Sequence, residues 1–125
     1  MTHQGEIYRC NVCGNVVEVF HPGGGVLVCC GQNMTLVQEK EHDLGEEKHL
    51  PVIEKTEKGI RVQVGFVLHP MEPDHYIEWI EVIGEGARQI RMLQPNDQPM
   101  VEFEIPSEKV QTVRVYCNLH GLWRR

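Results

Sequence analysis

The sequence predicts a mainly β protein in two parts, a small metal-binding domain followed by an immunoglobulin-like antiparallel β-sandwich. Three observations carry this. Beyond residue 50 apolar side chains alternate with polar ones at a period of two, as half-buried strands do. Turn signals (Lys58-Gly59, Gly84-Glu85-Gly86 and Pro95-Asn96-Asp97) divide those runs at short intervals. Four of the five cysteines lie between residues 10 and 30, in a stretch too short to bury a core of its own.

The first part spans residues 1–37. Cys10-Asn11-Val12-Cys13-Gly14 has the shape of a metal knuckle, in which two thiols on one tight turn reach a single ion and the glycine lets the backbone curl toward them. Val16–Phe20 reads as a strand and His21-Pro22-Gly23-Gly24-Gly25 as a turn. Val26-Leu27-Val28 then leads back to Cys29-Cys30-Gly31, so a hairpin returns the second cysteine pair to the first. Metal binding would supply the folding energy that so small a unit lacks. A tetrathiolate set takes zinc or iron, and the spacing alone leaves both open. The second pair is vicinal, with Cα atoms about 3.8 Å apart, so the tetrahedron is expected to be distorted. A disulfide between neighbours is disfavoured in a reducing cell.

The second part spans residues 38–125 and opens with the charged segment Gln38–Lys48, read as a solvated linker. Ile60, Val62, Val64 and Phe66 form one inward-facing series, and Val101, Phe103 and Ile105 another. Tyr76–Ile83 is apolar on both phases and suits a central strand. Val113, Val115 and Cys117 share a face, with Thr112, Arg114 and Tyr116 on the other, so the Cys117 sulfur is expected to point inward.

Composition narrows the function classes. The chain has 125 residues and a formal charge of -6, without a basic patch interleaved with aromatics, which argues against nucleic-acid binding. Only 6% of residues are aromatic, so the core must lean on Val, Ile and Leu. No apolar run is long enough for a membrane helix. The N-terminus lacks the charged and apolar regions of a signal peptide, and a cytoplasmic location is expected, where thiols stay reduced.

A second constellation lies outside the first part. His69-Pro70-Met71-Glu72-Pro73-Asp74-His75 presents two imidazoles on a loop stiffened by two prolines. Cys117-x-x-His120 follows a strand, and His49 stands beside Leu50-Pro51. His3, His21 and His42 read as surface, turn and linker residues and are set aside. Together His49, His69, His75, His120 and Cys117 exceed the four ligands of a structural zinc site. Five ligands leave one octahedral position free, which suits redox chemistry at iron, and a thiolate opposite that vacancy would push electron density toward whatever binds there.

These motifs resemble those of desulfoferrodoxin, the two-iron form of superoxide reductase, along essentially the whole chain. The C-x-x-C…C-C unit is similar to desulforedoxin. Glu47-Lys48-His49-Leu50-Pro51, the His69–His75 loop with Ile77-Glu78-Trp79-Ile80, and Cys117-Asn118-Leu119-His120-Gly121 match the catalytic motifs of the family. The resemblance implies two iron ions per chain. Cys10, Cys13, Cys29 and Cys30 would hold the first, and His49, His69, His75 and His120 would ring the second with Cys117 axial. It implies one-electron reduction of superoxide to hydrogen peroxide without release of dioxygen. Lys48 would attract the anion and help place water for protonation, and Glu47 would take the sixth position of ferric iron. It further implies a homodimer and rubredoxin as electron donor. Two other readings stand beside it: a non-catalytic iron electron-transfer protein, and a zinc-dependent interaction module.

Overall fold

The computed structural model describes residues 1–42 and 49–125. The described residues form two compact units, Met1–Gln38 and Glu39–Arg125.

In the first unit, β1 (Ile7–Arg9) pairs antiparallel with β2 (Val16–Glu18), so the intervening Cys10–Asn15 segment is held as a turn. A two-stranded hairpin follows, β3 (Val28–Cys29) and β4 (Gln32–Asn33), and β5 (Thr35–Leu36) returns to the free side of β1. The β3–β4 connection is Cys30-Gly31, with φ of 53° and 73°. Two consecutive positive φ values mark the type I′ turn whose twist matches that of a two-residue hairpin. A cysteine in that conformation costs about 1–2 kcal/mol. The apolar side chains buried here are Ile7, Cys10 and Val19, while Val12, Val17, Phe20, Val26 and Val28 are exposed.

The second unit stacks two sheets. After β6 (Glu39–Lys40) come β7 (Pro51–Lys55), β8 (Ile60–Val64), β9 (Ile77–Gly84), β10 (Ala87–Met92), β11 (Met100–Phe103), β12 (Val110–Cys117) and β13 (Gly121–Arg124). One sheet has the order β10-β9-β12-β13-β6 and the other β11-β8-β7. Pairing is antiparallel except between β13 and β6. Ile60, Val62 and Val64 of β8 and Val101 and Phe103 of β11 pack against Ile77, Ile80 and Val82 of β9 and Val113, Val115 and Cys117 of β12. This is the mainly β sandwich that the alternation predicts. At about 1.5–3 kcal/mol for each fully buried aliphatic side chain, that cluster can hold the unit without a staple.

Three expectations change in detail. The inward series on β8 stops at Val64, because Gly65 (φ 86°) turns the chain and leaves Phe66 76% exposed. The second face of β12 is not solvated. Arg114 is buried against Glu81, with Nε to Oε1 at 2.9 Å, and Tyr116 stacks on Trp79 with ring centroids 4.4 Å apart. The charged segment after Gln38 is not wholly linker either, since Glu39 and Lys40 form β6 on the edge of the larger sheet.

Candidate metal centres

The all-sulfur cluster is built by the two turns of the first unit. Cys10 N donates to Asn15 O at 2.8 Å and Gly14 N to Cys10 O at 3.0 Å, which closes the knuckle. Inside it the backbone N–H groups of Val12 and Cys13 both donate to Cys10 Sγ at 3.4 Å. These donors stabilise the thiolate and bring the Cys10 pKa down to about 6. On an extended strand Cys29 and Cys30 would face opposite ways. The left-handed Cys30 turns its sulfur to within 3.9 Å of Cys29 Sγ, which itself lies 3.6 Å from Cys13 Sγ. Edges of a tetrathiolate with metal–sulfur bonds of about 2.3 Å would measure about 3.8 Å. All four sulfurs lie within 4.8 Å of one another. Hydrogen bonding to the neighbouring thiols, Cys13 first, pushes Cys30 up to about 12. Four such sulfurs cannot all ionise without a cation among them, so the cluster fits a metal ion.

The second cluster gathers side chains from four places in the sandwich. Cys117 ends β12 just where its register with β9 slips, Tyr116 facing Trp79 but Cys117 facing Ile77. A bulge at that point re-aims the side chain, and Cys117 is fully buried. His69 is held by its N–H bonding to Val64 O at 3.1 Å, after Gly65 N has bonded to Leu50 O at 3.1 Å. Glu72 and His75 exchange backbone bonds of 2.9 and 3.1 Å around Pro73-Asp74, which makes a tight loop that turns His75 back. Between Cys117 and Gly121, paired across β12 and β13, the tight turn carries His120.

The donor atoms converge. One ligand atom from each of His49, His69, His75 and Cys117 falls within 4.8 Å of the others. His120 joins them, its Nδ1 3.1 Å from His49 Nε2 and 3.8 Å from Cys117 Sγ. Adjacent nitrogens on one ion, with bonds of about 2.1 Å, would stand about 3.0 Å apart. His69 Nδ1 lies 2.7 Å from Pro70 O, which fixes Nδ1 as the protonated nitrogen and leaves Nε2 bare. The Nε2 atoms of His69 and His75 are buried and without a hydrogen-bond partner among the described residues. A buried bare nitrogen costs about 1–3 kcal/mol unless something bonds to it, and a cation at the centre of this ring would bond to both. Desolvation lowers the His69 pKa to about 4, so its imidazole is neutral and available. Burial pushes the Cys117 thiol up, and a bound cation would displace its proton.

Of the residues singled out by sequence, all five members of this set and all four cysteines of the first lie in the two clusters. Neither set includes His3, His21 or His42. Glu47 and Lys48 lie outside the described residues. Three supporting residues carried no sequence signal. Asn118 accepts from Tyr76 N at 2.9 Å and donates to Asp74 O at 3.1 Å, sewing the His75 loop to the Cys117 turn. Trp123 stacks on His49, with centroids 4.5 Å apart and planes 10° from parallel. Lys40 lies over the other aromatic partner of this stack, 5.0 Å from the Trp123 centroid.

A tetrathiolate set on one unit and an imidazole–thiolate set on a β-sandwich define a non-haem metalloprotein with two separate centres. The Desulfoferrodoxin family matches residues 41–125, and its N-terminal domain, Desulfoferrodoxin N-terminal, matches residues 2–37. The desulfoferrodoxin of Nitratidesulfovibrio vulgaris is 54% identical over 124 residues, 99% of this chain and 98% of its own. The superoxide reductase of Pyrococcus abyssi is 33% identical over 102 residues, covering 67% of this chain and 89% of its own. The crystal structure of the superoxide reductase from Treponema pallidum superposes with a TM-score of 0.80 at 28% identity, covering 96% of each chain. This chain belongs to the desulfoferrodoxin family. Its cofactors are accordingly two iron ions, one Fe(Cys)4 and one Fe(His)4Cys.

Proposed function

We propose that the chain is a superoxide reductase, with His49, His69, His75, His120 and Cys117 holding the iron at which superoxide is reduced, and Cys10, Cys13, Cys29 and Cys30 holding the other. The observation that carries this reading is the pair of buried, bare Nε2 atoms of His69 and His75 aimed into one ring with a buried thiol. Iron held there would supply one electron to superoxide, which with two protons gives hydrogen peroxide and releases no dioxygen. Two units of distinct role follow, residues 1–37 for the tetrathiolate and 38–125 for catalysis.

The chain's own groups do the rest. Cys117, buried among Val115, Ile77 and Trp123, keeps water from the sulfur side of the set. His120 is exposed, so the imidazole set reaches the surface of the second unit. The chain carries a charge of -6, so long-range steering works against a superoxide anion and a local cation must compensate. Lys48, next to His49, is that cation and helps place the water that delivers protons. Glu47 supplies a carboxylate to the oxidised centre, and Glu47→Ala is expected to change the spectrum of the ferric protein. Lys48→Ala is expected to slow superoxide capture at least about 10-fold and to flatten its dependence on ionic strength, as read by pulse radiolysis.

An external donor, rubredoxin in this reading, returns the electron. A homodimer is supported by the exposed Val12, Val17, Phe20, Val26 and Val28 of the first unit, an apolar surface that a second copy would cover. The five reduced thiols fit a cytoplasmic protein, and no helix among the described residues is long and apolar enough to cross a membrane. The deciding experiment counts iron per chain and then the peroxide formed per electron supplied by reduced rubredoxin. Two irons and one peroxide per electron are expected. Zinc in place of iron, or dioxygen released with the peroxide, would sink the proposal.

A further inference from the structure

The His120 carbonyl and the outer face of Trp123 are both occupied by the same ammonium group. Lys40 Nζ donates to His120 O at 2.8 Å and sits 5.0 Å from the Trp123 ring centroid. Trp123 in turn lies flat on the His49 ring. One side chain therefore touches supports of two members of the imidazole set, from a strand that contributes no ligand itself.

Its position is not incidental to an exposed lysine. Strand register places Lys40 directly opposite Trp123 in the parallel β6–β13 pair, with Glu39 opposite Leu122. Cross-strand partners share a face, so the register alone sets the ammonium over the indole. Two residues of pairing would be a weak tether. Charges reinforce it: Glu39 reaches Arg114 at 3.4 Å and Arg124 at 3.9 Å, and Glu41 accepts from Arg124 Nε at 2.7 Å. Arg114 is itself anchored on Glu81, which is fully buried on β9. A chain of alternating charges thus ties the edge strand to the middle of the sheet.

We propose that Lys40 is a positioning residue of the imidazole–thiolate centre, holding the His120 turn through its hydrogen bond and the His49 ring through Trp123, and adding one fixed positive charge beside the metal. This rests on the reading that the centre holds iron. The hydrogen bond fixes ligand direction, whereas the charge favours the less positive, ferrous state over the ferric one. The two contributions are separable by substitution.

The test uses the full iron-loaded chain, with the ferric thiolate-to-iron absorption band, the ferric EPR spectrum and the reduction potential of this centre as readouts. Absorption of the tetrathiolate centre, which lies in the other unit, checks loading. Lys40→Met is expected to shift the band, alter the EPR rhombicity and lower the potential. Lys40→Arg, which keeps the donor, the charge and the contact with the indole, is expected to restore all three. Lys40→Gln keeps an N–H donor without charge, so its band should stay close to that of the parent while its potential falls. Parent-like spectra and potential in Lys40→Met would overturn the proposal, as would changes that Lys40→Arg fails to rescue. Should Lys40→Met not fold, an unchanged potential in Lys40→Gln overturns it instead. A parent chain with no thiolate-to-iron band would remove the iron reading itself, a separate outcome from any of these.

Discussion

The two halves of the chain are held together by different physics. In Met1–Gln38 burial is confined to Ile7, Cys10 and Val19 among the apolar side chains, and valines and a phenylalanine face outward. In Glu39–Arg125 an uninterrupted cluster runs from Ile60 through Phe103 to Trp123. The same contrast appears at the clusters. The four thiols of the first unit lie on or immediately beside the two tight turns that connect its strands. The five donors of the second are appended to strand ends and loops that already have a core beneath them. One metal set makes its fold, and the other borrows a fold made elsewhere.

The sharpest way to break that contrast is to remove one ligand from each. Cys13→Ser is expected to abolish ordered structure in residues 1–37, since metal binding supplies about 10–16 kcal/mol in comparable small units. Hydrogen exchange should then show the first unit unprotected and the second unchanged. Cys117→Ser is expected to leave the melting of the metal-free sandwich nearly as it was. It should nevertheless cut superoxide reduction by at least about 100-fold, because even the outer partners of metal ligands are worth 10–100-fold. If Cys13→Ser kept the first unit protected, or Cys117→Ser unfolded the second, the distinction would fail.

The remaining tests sharpen it. Arg114→Met leaves the buried Glu81 carboxylate with Arg88 alone, whose Nη1 lies 3.3 Å from Oε2, and should cost the second unit about 1–3 kcal/mol, measurable by urea titration. Replacing Arg114 and Glu81 together by apolar residues should recover most of that loss.

A further effect concerns pH. The His69 pKa in the folded chain, about 4, lies below its ordinary value of 6.5. Between these values the unfolded state binds more protons than the folded one, so stability falls as pH drops from 6.5 toward 4. The metal-free chain should lose about 3 kcal/mol across that window from this group. The slope should flatten in His69→Gln, and part of what remains comes from the first unit, where the Cys10 thiol, brought down to about 6, also gains its proton in the upper part of that window.

Much of the site was legible before any fold was known. Cys10-x-x-Cys13, His69-Pro70 and Cys117-x-x-His120 are local pairs, and a tight turn brings such residues together almost whatever surrounds it. The inward phase of Cys117 followed from Val113 and Val115. Less legible was everything that depends on a distant partner. The alternation along β8 gave Phe66 an inward position that Gly65 cancels. Arg114 and Tyr116 read as solvated because Glu81 and Trp79, which cover them, lie more than thirty residues away. The role of Asn118 depends on Tyr76 and Asp74, which only the fold brings within reach.

By itself the order of residues determined that the chain alternates into strands, that its first four thiols belong to one turn-built cluster, and which imidazoles and sulfur were chemically fit for another. Only the folded chain decided that those five donors meet, that two of the nitrogens are left bare, and that Lys40 arrives over Trp123. The physical reason is range. Periodicity and turn chemistry act between near neighbours, whereas a ligand ring and its supports are assembled by strand pairing across separations that no local pattern records.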